Sequence, residues 1–155
     1  MVEEGGAAPD FELESDEGTP VRLSELRGRP IVLYFYPKDD TPGCTTQARA
    51  IRDAWGDFRA TGATVLGVSP DSAESHRKFK EKYDLPFTLL ADPDHEVSEL
   101  YGVWQEKTYA GRKYMGVVRS TFVIAPDGTV EKALYGVRAD GHADLVLEAL
   151  EAPTG

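Results

Sequence analysis

Two runs of the chain are apolar on both faces. Ile31 to Tyr36 and Thr64-Val-Leu-Gly-Val-Ser69 leave no polar side for water, the pattern of strands buried inside a sheet. Between them Cys44, Ala48, Ile51, Trp55 and Phe58 recur at spacings of 4, 3, 4 and 3, which puts them on one face of a helix. Strand, helix and strand in that order predict a crossover between parallel neighbours. Downstream, Ser72 caps a helix running to about Tyr83 with Phe79 and Tyr83 on its apolar side. Phe87 to Leu90 reads as a short strand, and Asp94 as the cap of a short helix ended by Gly102. Val117 to Ile124 is a further strand. A turn at Pro126-Asp127-Gly128 leads into a returning strand, Thr129 to Gly136. From about Gly141 to Glu151 a last amphipathic helix runs through Leu145, Leu147 and Leu150. Upstream, Phe11 to Leu23 forms a hairpin around Asp16-Glu17-Gly18, and Ser24 to Arg27 a single helical turn stopped by Gly28. This order predicts an α/β fold: a three-layer sandwich with a central mixed sheet flanked by helices and an N-terminal β-hairpin, one domain over residues 1–155. The tail Ala152-Pro-Thr-Gly reads as frayed.

Composition narrows the function. With 41% hydrophobic and 28% charged residues the chain is an ordinary globular domain. A net charge of −10 and the lack of any basic tract argue against nucleic acid as a partner. No run approaches the roughly 20 apolar residues that a bilayer span needs. The start, Met-Val-Glu-Glu-Gly-Gly, has neither the basic nor the apolar region of a signal peptide, so a cytoplasmic location is expected. No apolar patch on this acidic chain suggests a strong dimer, and a monomer or weak dimer is expected. Asparagine is absent altogether.

Cys44 is the single cysteine, so no disulfide can form within one chain. It follows a strand that ends at Pro37 and a short turn, and it opens the predicted helix. Backbone N–H groups are free there, and the helix dipole favours a thiolate. Arg119 sits in Val117-Val-Arg-Ser-Thr-Phe-Val-Ile124, an otherwise apolar strand with no acidic residue to pair with it. It either meets a thiolate at Cys44 or lies near the strand end, facing solvent or a surface carboxylate. Pro37 adds a rigid apolar wall. Thr41, three residues before Cys44, caps the helix or offers its hydroxyl to the same pocket. Gly43 lets the backbone approach a ligand, so the N–H groups of Gly43 and Cys44 can donate to a bound oxygen.

Other residues offer less. His76, His95 and His142 are scattered over predicted surface helices, without the spacing of a metal site. Asp39-Asp40 reads as a solvated turn. Tyr36 and Trp104 fit core packing better than a pocket wall.

The run Pro37-x-x-x-Thr41-x-x-Cys44 resembles the active-site signature of peroxiredoxins. The stretch Phe35-Tyr-Pro-Lys-Asp-Asp-Thr-Pro-Gly-Cys-Thr resembles their PrxQ branch, also called bacterioferritin comigratory protein. The resemblance continues through Gly67 to Ser72, Ser75 to Phe79, Leu85 to Leu90, Tyr101 to Trp104 and Arg119 to Phe122, and covers about Gly6 to Leu150. It implies a thioredoxin-like fold and a thiol-dependent peroxidase acting on hydrogen peroxide and organic hydroperoxides through a Cys44 sulfenic acid, with no cofactor and no metal. By the same resemblance Thr41 bonds the peroxide, Arg119 holds both thiolate and peroxide oxygens, and Pro37 shields the thiolate.

Many members of that branch carry a second cysteine five residues after the first; here that position is Arg49. Five helical residues turn through about 500°, which puts residue 49 roughly 140° away from Cys44. The chain resembles a one-cysteine variant whose sulfenic acid is reduced by an external thiol: thioredoxin, glutaredoxin or a low-molecular-weight thiol. A helix that never forms an internal disulfide is expected to hold its first turn firmly. The competing reading is a thioredoxin-fold redox sensor or interaction module that signals through oxidised Cys44.

Overall fold

The structure is a computed structural model that describes residues 2–151. Seven strands form one mixed sheet in the order β2-β1-β5-β4-β3-β8-β9. At its centre β3 (Ile31–Phe35), β4 (Thr64–Ser69) and β5 (Thr88–Ala91) run parallel. The hairpin of β1 (Glu12–Ser15) and β2 (Pro20–Arg22) pairs antiparallel with β5 on one side. On the other side β8 (Ser120–Ile124) runs antiparallel to β3, and β9 (Val130–Leu134) antiparallel to β8.

Alternation along β3 explains the layers. Ile31, Leu33 and Phe35 enter one core, with Val97, Tyr101 and Phe122. Val32 and Tyr34 enter the other, with Cys44, Ile51, Phe58, Phe79 and Val146. Both faces are covered, as the two-sided hydrophobicity of β3 and β4 requires. On the cysteine face lie α1 (Pro42–Asp53), α2 (Trp55–Ala60), α3 (Ala73–Tyr83) and α5 (His142–Glu151); on the other lie α4 (Glu96–Leu100) and a single turn at Leu23–Leu26. Gly67 on β4 sits opposite Tyr34. A Cβ there would come within 2.9 Å of both the Tyr34 ring and Leu89, so glycine makes room for the tyrosine. No helix among the described residues is long and apolar enough to cross a membrane.

Several expectations are corrected. The helix through Cys44 begins at Pro42 and breaks at Ala54 into α1 and α2, although its apolar stripe is continuous. Ser72 caps α3 as expected, accepting from the Ser75 N–H. The short helix is capped by Asp92, not Asp94: its carboxylate accepts from the N–H groups of Val97 and Ser98. The strand expected over Val117 to Ile124 is two strands. β8 begins only at Ser120, and Val117 ends a separate ribbon, β6 (Trp104–Tyr109) with β7 (Arg112–Val117). In α5 it is Val146 that is buried, while Leu145 is exposed. Residues 152–155, expected to fray, lie outside the described residues.

Candidate active site

β3 delivers the chain to a short loop at its C-terminal end, and that loop turns into α1. Pro42 occupies the first helical position, where its missing N–H costs nothing. Cys44 is two residues further on, with a side chain directed into the core and only 2% of the residue exposed. Thr41 stands at the N-cap position, but its hydroxyl donates to Lys38 O at 2.8 Å and does not cap the helix. The first-turn N–H groups of Gly43 and Cys44 are therefore not satisfied by Thr41.

Arg119 lies in the gap between β7 and β8, half-buried, with its carbonyl accepting from Val137 N–H at 2.9 Å. Its Nη2 is 3.5 Å from Cys44 Sγ, and its Nη1 donates to Gln47 Oε1. Among the described residues no carboxylate lies within salt-bridge distance of the guanidinium. Of the two readings open for Arg119, the geometry selects the sulfur. Gly43 keeps the approach open, since a Cβ there would sit 3.0 Å from Nη2. Pro37 is half-buried at the end of β3.

A chain that presents a buried cysteine at a helix start to an otherwise unpaired arginine has close relatives. The AhpC/TSA family profile matches residues 5–133. The chain belongs to the AhpC/TSA family. Peroxiredoxin Bcp of Bacillus subtilis is 48% identical over 150 residues, spanning 97% of this chain and 96% of that protein. Peroxiredoxin Bcp of Escherichia coli K12 is 42% identical over 147 residues, 95% and 94% of the two chains. Among solved structures, a cysteine-to-serine mutant of PrxQ from Xylella fastidiosa superposes with a TM-score of 0.92 at 35% identity, covering 97% of this chain and 96% of that one. The bacterioferritin comigratory protein of Xanthomonas campestris, studied for its alkyl peroxide reduction activity, gives 0.86 at 40% identity, covering 91% and 90%. The fold is thioredoxin-like and the chain is of the Bcp/PrxQ type.

Arg49, five residues after Cys44, is exposed. Several residues near the site were not expected from the sequence. Gln47, three residues after Cys44 and on the same helical face, is fully buried, and its Nε2 has no partner among the described residues. Lys107, from the unforeseen ribbon, donates to Val117 O at 2.9 Å. Burial first, and the Arg119 charge second, push its pKa below the ordinary lysine range, while Cys44 pulls it back up. Both influences place it beside the same pocket.

His142 and His76, expected on surface helices, are both fully buried. His142 Nε2 lies 2.6 Å from Thr121 Oγ1, and its Nδ1 has no partner among the described residues. Burial, then the Arg119 charge, lowers its pKa to about 4, so it is neutral beside the arginine. Asp39 is likewise buried, not solvated, because Tyr36, Ser75 and His76 surround its carboxylate. Asp40 does face solvent, held by Lys82 and Tyr83. Tyr36 is buried in the core that contains Cys44, whereas Trp104 packs against the opposite core and stacks on His95 at 3.9 Å. Ligand-type atoms of Asp39, Asp71 and His76 lie within 4.8 Å of one another. Hydrogen bonds among them and to Ser69, Ser75 and Tyr36 already engage these atoms in a buried polar cluster.

Proposed function

We propose that Cys44 is the nucleophile of this thiol-dependent peroxidase and that Arg119, Thr41, Gly43 and Pro37 form its peroxide site. The observation that carries the reading is Arg119 Nη2 at 3.5 Å from Cys44 Sγ, with no carboxylate among the described residues within salt-bridge distance of the guanidinium. A cation and a helix N-terminus both favour the thiolate, which is the reactive form.

The thiolate attacks the terminal oxygen of a hydroperoxide. The S–O bond forms as the O–O bond breaks, and the leaving oxygen departs as water or an alcohol once it takes up a proton. The sulfur is left as sulfenic acid, oxidised by two electrons. Negative charge moves from sulfur to the leaving oxygen during this step. Arg119 lies where it can donate to both, so it binds the transition state more tightly than the ground state. The N–H groups of Gly43 and Cys44 add fixed donors on the helix side. Thr41 has given its hydroxyl hydrogen to Lys38 O, which leaves its oxygen to accept from the peroxide O–H. Pro37 closes the apolar side against water. Hydrogen peroxide and organic hydroperoxides both present the O–OH group that this arrangement reads.

With one cysteine in the chain, the sulfenic acid passes to an external thiol. That thiol displaces water to give a mixed disulfide, and a second thiol releases Cys44. Thioredoxin, glutaredoxin or a low-molecular-weight thiol fits this step, in a reducing compartment such as the cytoplasm. The protein acts as a monomer or weak dimer.

Stopped-flow mixing of reduced protein with hydrogen peroxide or an alkyl hydroperoxide tests the reading, with Cys44→Ser as control. Rapid formation of one sulfenic acid per chain is expected. A rate no faster than that of a free thiol would sink it.

A further inference from the structure

Asp39 belongs to the loop that carries β3 into α1, and its side chain is only 4% exposed. Four structural elements grip it. From the end of β3, Tyr36 donates its hydroxyl to Asp39 Oδ1 at 2.5 Å. From α3, Ser75 Oγ donates to Oδ2 at 2.8 Å, and His76 Nδ1 lies 2.7 Å from the same oxygen. From the loop after β4, the Asp71 carboxylate accepts the Asp39 N–H at 2.8 Å. Through His76, β5 joins in, because His76 Nε2 lies 2.8 Å from Leu90 O.

Counting hydrogens on this cluster gives a definite result. A backbone carbonyl can only accept, so His76 Nε2 carries a hydrogen. An imidazole with that hydrogen alone has a bare Nδ1, which can only accept. A carboxylate can also only accept. Two acceptors do not sit 2.7 Å apart in a dry interior without a proton between them. The pair therefore holds one proton more than a carboxylate and a neutral imidazole, whichever partner carries it. Asp71 adds a negative charge from the β4–α3 loop, and Tyr36 remains a donor because burial first, and Asp39 second, raise its pKa far above the usual value. Among the described residues no Lys or Arg lies within salt-bridge distance of Asp39.

This clamp sits next to the chemistry. Lys38 O accepts the Thr41 hydroxyl, and Asp40 holds the left-handed conformation, φ 57°, that lets the loop turn into α1. Such a backbone persists only where its surroundings over-determine it. Lys82 and Tyr83 of α3 hold the Asp40 carboxylate from outside, while Asp39 is held from inside. We propose that Asp39 and His76 are positioning residues for the peroxide site: one proton shared between them locks the β3–α1 loop, and with it the alignment of Thr41 and Cys44 against Arg119. The proposal rests on the reading of Cys44 as the nucleophile only for its effect on rate. The lock itself is a property of the loop.

The test compares Asp39→Ala with Asp39→Asn. Asparagine keeps an acceptor for Tyr36 and supplies an N–H to the bare His76 Nδ1, so it closes the lock without a shared proton. The alanine variant is expected to slow sulfenic acid formation about tenfold or more, as misplacement of a reacting group does, and asparagine to recover most of that loss. Hydrogen exchange at the 38–45 amides, measured in a Cys44→Ser background, reads the lock without any chemistry. Exchange should quicken in Asp39→Ala and stay at the wild-type level in Asp39→Asn. Exchange in Asp39→Ala equal to that of the wild type would overturn the lock, and an asparagine variant as damaged as alanine would overturn the shared proton. Failure of the Cys44 reading shows separately, as a wild type that does not react quickly with peroxide while exchange still responds.

Discussion

Two buried polar clusters flank the start of α1, and they differ in how completely they are satisfied. Around Asp39 the carboxylate accepts from Tyr36, Ser75 and His76, and its own N–H finds Asp71. Around Cys44 the accounts stay open: Gln47 Nε2 and His142 Nδ1 are buried without partners, and Arg119 points a donor at sulfur from 3.5 Å. A fully satisfied network stiffens its surroundings, and an unsatisfied one keeps capacity for a ligand. On the proposed reading, the first cluster holds the loop and the second stays open for a peroxide.

The largest expected effects fall on the open cluster. Cys44→Ser removes the sulfur and is expected to reduce peroxide turnover at least about a thousandfold, since the reaction rests on one atom. Arg119→Ala keeps the nucleophile and removes the cation. A loss of about 10²–10³ in the rate of sulfenic acid formation is expected, the usual cost of deleting a donor aimed at developing charge. Arg119→Lys should recover only part of it, because an ammonium cannot hold Gln47 and the sulfur together as a guanidinium fork does. Stopped-flow traces of the three variants decide this. An Arg119→Ala enzyme as fast as wild type would mean that the helix start alone activates Cys44.

Half of this contrast was legible in the sequence. Periodicity exposed β3, β4 and the helix between them, because a strand buried on both faces and a one-sided helix leave unmistakable patterns, and Cys44 fell on the inner stripe. The ribbon β6–β7 left no such trace. Its turn is Ala110-Gly111, both at positive φ, with alanine where Asn or Asp usually signals a hairpin. Its strands carry exposed Tyr109, Tyr114 and Met115 among charges, so neither face reads as a core. The satisfied cluster was hidden for a different reason. His76 meets Asp39 across 37 residues, just as His142 of the open cluster meets Thr121 across 21. A polar residue whose partners arrive from other elements looks like a surface residue until the chain is folded.

His142 offers a measure of the open cluster that does not depend on catalysis. Its pKa falls from 6.5 to about 4 on folding, because burial and Arg119 oppose the charged form. Between those values the unfolded chain binds more protons than the folded one. Stability is then full above pH 6.5 and is lost as the pH falls toward 4, by roughly 3 kcal/mol from this group alone. Replacing it by a side chain that does not titrate, His142→Gln, should flatten that part of the acid limb in urea unfolding midpoints measured from pH 7 to pH 4. Parallel acid limbs in the two proteins would show that the imidazole is not held neutral beside Arg119.

The smallest expected effect tests whether Gln47 serves the site by holding Arg119 or only by filling space. Gln47 Oε1 accepts from Nη1, which leaves Nη2 aimed at Cys44. Gln47→Ala frees the guanidinium to swing, and a loss of about tenfold in peroxide attack is expected from misalignment. Gln47→Glu separates the two roles, because it keeps the volume and the accepting oxygen and adds a negative charge. A carboxylate there should hold Arg119 more firmly, so if alignment alone mattered the variant would match or exceed wild type. Charge argues the other way: the carboxylate neutralises the cation the thiolate needs and stands one helical turn from the sulfur. Attack slower than in Gln47→Ala is therefore expected. A glutamate variant as fast as wild type would mean that Arg119 acts by placing hydrogen-bond donors and not by its charge.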